Sequence, residues 1–92
     1  MYGNTLDNDR AISDFNEAIR LNPQYALAFN NRGTAYARKG DYDRAISDYN
    51  EAIRLDPQYA DAFCNRGVAK RVKGDRSNGD ADISRCALLL QH

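Results

Sequence analysis

The chain has 92 residues, with 13 lysines or arginines against 13 aspartates or glutamates. That length gives one domain, spanning 1–92, and the balanced charge leaves no long-range field to draw in nucleic acid or an anionic membrane surface. The longest apolar run, Ala87 to Leu90, falls far short of the ~20 residues of a membrane span, and Met1-Tyr2-Gly3-Asn4 lacks a basic-then-apolar signal pattern, so a cytoplasmic protein off the membrane is expected.

Sliding the sequence by 34 residues lays Asp7–Gly33 over Asp41–Gly67, and only positions 8, 15, 22, 27 and 30 differ from their counterparts. Such a period is the mark of a repeat architecture. Within it apolar and small residues recur at helical spacing, and the spacing predicts helices at 8–21, 26–39, 42–55, 60–73 and 78–90. Asn22-Pro23 and Asp56-Pro57 end the first and third of these, because proline disfavours a helical residue before it. Gly40 ends the second in a left-handed conformation, and Asp41 opens the third as its N-cap. Arg76-Ser77-Asn78-Gly79-Asp80 forms helix poorly, so the fifth helix is expected to start late or fray. Ala11, Ala18, Gly33, Ala45, Ala52 and Gly67 fall where neighbouring helices would cross, with Phe15, Phe29, Tyr49 and Phe63 filling the space between. The expected fold is all-α, with five helices in antiparallel pairs.

Phe29, Gly33, Tyr36, Ala45, Tyr49, Ala52 and Pro57 match, in order and spacing, the pattern of the tetratricopeptide repeat family, which this sequence resembles over nearly its whole length. The resemblance implies a right-handed α-α superhelix of about 2.5 repeats: a half repeat at 7–25, a full one at 26–59 and a degenerate one at 60–92. The last copy keeps Phe63, Gly67, Gly74 and Asp75, but Lys70, Gly79, Ile83 and Cys86 replace the pattern's tyrosine, alanine, aromatic and alanine. The first has only Met1 to Leu6 where the family places a whole helix.

The resemblance further implies a concave groove for an extended or helical peptide, lined here by Leu27, Asn30, Asn31, Thr34, Arg38, Asp61, Cys64, Asn65, Val68 and Arg71. Amides such as Asn31 and Asn65 can hydrogen-bond a ligand backbone without reading its sequence; equally they are exposed polar residues bonded to water. Arg38, Lys39, Arg71 and Lys73 suit the negative ends of their helices, and any that face the groove would favour an acidic peptide. The family's clamp for acidic C-terminal tails uses lysine and asparagine, whereas Thr34 and Asn30 stand where the other clamp residues would be, which argues against chaperone-tail binding.

Arg32 and Arg66 occupy a position that the family usually fills with leucine. A partly covered arginine there is expected to pair with one of Asp14, Asp48 and Asp82 across a helix hairpin or a repeat junction. The first helix, with Ala11, Phe15, Ala18 and Ile19, and the chain end, with Leu88, Leu89 and Leu90, are expected to present bare apolar faces that a homodimer would cover.

Catalysis finds no foothold. The single histidine, His92, is the last residue, and no glycine-rich phosphate loop is present. Cys64 and Cys86 form neither a CxxC nor a Cys/His cluster and are expected to be free thiols, with no metal and no cofactor. The function these features support is a non-enzymatic scaffold that holds a protein or peptide in its groove. A structural module that mainly self-associates is the alternative, and RNA binding is disfavoured by the zero net charge.

Overall fold

The computed structural model describes residues 5–91, which form five helices: α1 (Thr5–Leu21), α2 (Ala26–Arg38), α3 (Tyr42–Leu55), α4 (Ala60–Val72) and α5 (Arg76–Leu89). Among the described residues there is no strand. Helices consecutive in sequence pack on one another, and α2 also touches α4, as a stack of antiparallel pairs requires. No described helix is long and apolar enough to cross a membrane. Met1 to Asn4, read from sequence as lacking a signal pattern, and His92, the single histidine, lie outside the described residues.

The turns follow local chemistry. Gly40 and Gly74 adopt φ of 85° and 94°, the left-handed region, and the amides that follow reach back into the helix, Asp41 N–H to the Tyr36 carbonyl and Asp75 N–H to that of Lys70, both at 2.9 Å. Asp41 and Asp75 then cap the next helices by accepting from the Arg44 and Asn78 amides. Between repeats, the Asn22 and Asp56 side chains accept from the Gln24 and Gln58 amides at 3.1 Å, so each Asx-Pro step closes a turn before α2 and α4 begin at Ala26 and Ala60.

Two boundaries differ from the sequence reading by more than one residue. α1 begins at Thr5 instead of 8, and α5 begins at Arg76 instead of 78. The Asp75 cap outweighs the poor propensity of the Arg76–Asp80 stretch, and Gly79 is buried against α4.

The core lies in the middle of the stack. Ala45, Tyr49 and Ala69 are buried together, with Tyr36, Ala37, Tyr42 and Ile46 packed around them. Gly33 allows α3 to approach: a Cβ there would stand 2.8 Å from the Tyr49 ring and 3.0 Å from the Ala45 carbonyl oxygen.

Candidate peptide groove

α2 and α4 lie side by side with α3 behind them, which leaves an open hollow of ≈ 330 Å³. Thr34, Ala37 and Arg38 line one wall, Asn65, Val68, Ala69 and Val72 the other, and Tyr42 and Tyr49 of α3 contribute from behind. A second hollow of ≈ 290 Å³ shares Val68 and Val72 and adds Arg71 and Arg76. The wall is mostly aliphatic, with Val68 and Val72 more than half exposed and arginines at its edges. Burial pushes the Tyr49 phenol above its ordinary pKa, against the opposing effect of its hydrogen bond with Thr34, so it stays neutral. The Thr34 hydroxyl lies 3.0 Å from the phenol oxygen and 3.2 Å from the Asn30 carbonyl oxygen, within hydrogen-bond reach of both.

Of the ten residues assigned to the groove from sequence, Thr34, Arg38, Asn65 and Val68 line the larger hollow and Arg71 the smaller. Leu27 and Asp61 are exposed and Asn31 half-buried, and none of the three lines either hollow. Asn30 is a correction, because it is only 6 % exposed and its Oδ1 accepts from Asn65 Nδ2 at 3.1 Å, a brace between the two walls. Asn65 therefore has its own Oδ1 to offer a ligand N–H. Arg38 and Arg71 are not equivalent either: 34 residues on from Arg38 stands Val72, and Arg71 instead pairs with Asp80 at 3.5 Å. Of the lysines grouped with them, Lys39 pairs with Asp9 and Lys73 with Asp43. Sequence reasoning missed Ala37, Tyr42, Tyr49, Ala69, Val72 and Arg76 as lining residues; the tyrosines belong to α3, whose part in the groove no single-helix pattern signals.

The family model described as TPR repeat matches residues 7–40 and 35–71. The chain is a tetratricopeptide repeat protein. Its fold is the right-handed α-α superhelix of that family, and it is a protein-interaction module. Among solved structures, the second TPR of Spaghetti (RPAP3) bound to the HSP90 peptide SRMEEVD is 33% identical at a TM-score of 0.86, covering 89% of this chain and 76% of that one. The first TPR of Spaghetti, bound to the same peptide, is 27% identical at 0.90, covering 94% and 68%. The crystal structure of MamA is 29% identical at 0.85 and covers 90% of this chain, which spans about half (48%) of the MamA chain. A comparison with curated protein sequences finds no match.

This tetratricopeptide stack departs from its family pattern in two ways. First, each complete helix hairpin is closed by an arginine. Arg32 grips Asp48 through two hydrogen bonds, at 2.8 and 2.7 Å, reaches Asn16 of α1 at 2.9 Å and lies over the Phe29 ring at 5.4 Å. Arg66 repeats the arrangement with Asp82 (2.8 Å twice), Asn50 (2.9 Å) and Phe63 (5.3 Å). The arginine–aspartate pairing expected from sequence thus runs across the hairpin, and the contact across the repeat junction goes to an asparagine. Asp82 has a second cation, Lys70, at 3.0 Å. Burial raises the Asp82 carboxyl, but the hydrogen bonds from Arg66 and Lys70 outweigh it and hold the pKa below the usual aspartate value.

Second, Cys64 and Cys86 form a disulfide between α4 and α5, with their Cα atoms 5.3 Å apart. This corrects both the free-thiol expectation and the place of Cys64 on the ligand surface. In register, Cys64 and Cys86 replace Asn30 and Ala52 of the previous repeat. Such bridges persist in oxidising compartments and are rare in the cytoplasm, the setting from which free thiols were expected.

At the ends, Ala11, Phe15 and Ala18 are half-buried, whereas their counterparts Ala45, Tyr49 and Ala52 are at most 2% exposed. Ile19 is half-buried, as is its counterpart Ile53. Leu88 and Leu90 are exposed and Leu89 is half-buried.

Proposed function

We propose that this chain binds a peptide of mixed apolar and acidic character in the groove between α2 and α4. The observation that carries this reading is the ≈ 330 Å³ hollow in which Arg38, with no ion pair among the described residues, stands beside Val68, Val72 and Ala37. Apolar side chains of the ligand would cover the valines, Arg38 would meet a carboxylate, and Asn65 Oδ1 would accept a backbone N–H. The clamp positions Thr34 and Asn30 argue against a chaperone tail, but Asn30 is bonded to Asn65 and does not line the groove, and the two Spaghetti domains bound to SRMEEVD support the acidic preference. Binding is weak, because so open a groove has few anchoring pockets. Nothing in the reading calls for a cofactor, a metal or catalysis.

Fluorescence anisotropy with labelled SRMEEVD and its C-terminal amide tests the reading. The free acid binds more tightly, its affinity falls with added salt, and Val68→Glu removes binding of both. Equal affinity for acid and amide takes Arg38 out of recognition, and binding untouched by Val68→Glu takes the ligand out of the groove.

Self-association is the second reading, favoured by the exposed Leu88 and Leu90 at the end of α5. Covering large aliphatic side chains is worth about 1.5–3 kcal/mol each and offsets part of the cost of association. A homodimer seated on these leucines predicts that Leu88→Glu yields a monomer in sedimentation, whereas a concentration-independent monomer before mutation ends this reading.

A further inference from the structure

We propose that the Cys64–Cys86 bridge is a redox gate on the α4–α5 hairpin: oxidised, it holds α5 on α4, and on reduction the hairpin opens while α2, α3 and α4 keep their stack. The proposal concerns the interface inside this hairpin and does not rest on peptide binding in the groove.

The internal repeat supplies the comparison, because α2 and α3 form the equivalent hairpin without a bridge. There the core is apolar: Ala45 and Tyr49 are buried, with Tyr36, Tyr42 and Ile46 packed around them. One period later Lys70, Arg76 and Asp80 replace Tyr36, Tyr42 and Ile46, Gly79 replaces Ala45, and the half-buried Ile83 replaces Tyr49. The buried residues of α5 are Gly79, Asp82 and Cys86, so this helix buries no large apolar side chain.

What else joins α5 to α4 is polar or backbone. Arg66 and Lys70 hold Asp82, but a covered ion pair contributes little net stability once the desolvation of its charges is counted. Arg71 and Asp80 pair at 3.5 Å in an exposed setting, where such a pair is worth less still. Gly67 and Gly79 bring the backbones together but have no side chains of their own to bury. Nor does α5 hold its own shape, since a helix of 14 residues that includes the poorly helical Arg76–Asp80 stretch is marginal in water. The two cysteines thus stand in the one hairpin whose apolar core has been replaced by charge.

Exposure sets the course of the reduction. Cys86 is 1% exposed and Cys64 half-buried, so a dithiol reductant meets the Cys64 sulfur. Its thiolate attacks Cys64 Sγ, the bond between the two Sγ atoms breaks, and Cys86 leaves as a thiolate that takes up a proton. The second thiol then attacks the mixed disulfide, which releases Cys64 as a thiol and closes the reductant's own disulfide. Two electrons and two protons pass from the dithiol to the two cysteines.

Amide hydrogen exchange of the full chain, oxidised and in dithiothreitol, tests the gate. Reduction speeds exchange in α5 by on the order of a hundredfold relative to α2 and α3, the chain-entropy scale of a bridge closing a loop of this length, and reoxidation reverses it. Cys64→Ser with Cys86→Ser shows the fast exchange with or without reductant. Arg76→Tyr with Asp80→Ile and Ile83→Tyr, which gives α5 the core residues of α3, keeps α5 protected after reduction. Unchanged protection of α5 on reduction overturns the proposal. So does equal acceleration in α2, α3 and α5, which marks a general loss of stability in place of an opened hairpin, or the same acceleration in the variant with the restored core.

Discussion

Gly67 and Gly79 meet at the crossing of α4 and α5, so closely that a Cβ on either would stand 2.6 Å from the carbonyl oxygen of the other. At the equivalent crossing of α2 and α3, the nearest obstacle to a Cβ on Gly33 is the Tyr49 ring at 2.8 Å, with the Ala45 carbonyl oxygen at 3.0 Å. A ring edge can shift, whereas a helix carbonyl cannot without moving the helix. Gly→Ala brings the same gain in helix propensity, about 1 kcal/mol, at both sites. Gly67→Ala is thus the more destabilising by about 1 kcal/mol or more, as overpacking costs about 1–3 kcal/mol. Urea denaturation of the two variants measures the difference, and a more stable Gly67→Ala contradicts the account of this crossing.

The Cys64–Cys86 bridge closes a loop across a sequence separation of 22, for which chain entropy gives a stabilisation of about 3 kcal/mol. Adding reductant lowers the melting temperature, and Cys64→Ser with Cys86→Ser reproduces that loss. Replacing the pair by its counterparts in the preceding repeat, Cys64→Asn with Cys86→Ala, recovers part of the stability by restoring the packing of α2 on α3. Equal melting temperatures for oxidised and reduced protein would show that the bridge contributes nothing.

The two arginine clasps differ in what a mutation leaves behind. Arg32→Met strands Asp48, which is 6% exposed and has no other cation among the described residues, at a cost of about 3–5 kcal/mol. Arg66→Met leaves Asp82 with Lys70 at 3.0 Å and costs less. Adding Lys70→Met to Arg66→Met removes the difference. Equal costs for the two single variants would mean that Lys70 does not support Asp82 in solution.

The Asp82 carboxyl carries a pH signature. Its folded pKa lies below the unfolded value, because hydrogen bonds from Arg66 and Lys70 outweigh burial. The stability it contributes is therefore fully present above the ordinary aspartate pKa and is lost as pH falls through the depressed folded value. Asp82→Asn flattens that acid limb of the stability curve, measured by denaturation from neutral pH downwards. An unchanged acid limb would remove Asp82 as a source of the pH dependence.

Much of this was legible in the sequence for a single reason: a 34-residue period repeats the contacts along with the letters. The helices, the role of Gly33 and the pairing of Arg32 and Arg66 with aspartates all follow from it. What escaped depends on contacts between helices distant in sequence. Tyr42 and Tyr49 enter the groove from α3, and Asn30 turns inward to brace Asn65, neither of which a pattern within one helix reveals. The disulfide left a readable trace, since Cys64 and Cys86 share register with Asn30 and Ala52 of one helix hairpin, but spacing in the chain gave no hint of it. The start of α5 was misjudged because propensity ignores the Asp75 cap and the close seat that Gly79 takes on Gly67.

Groove recognition is tested most directly by mapping amide chemical shifts while SRMEEVD is titrated into the intact, oxidised chain. The account predicts shifts at Thr34, Ala37, Arg38, Tyr42, Val68 and Val72, reduced by added salt and by Arg38→Ala, with α1 unmoved. Shifts confined to α1 or α5, or no shift at millimolar peptide, would contradict it.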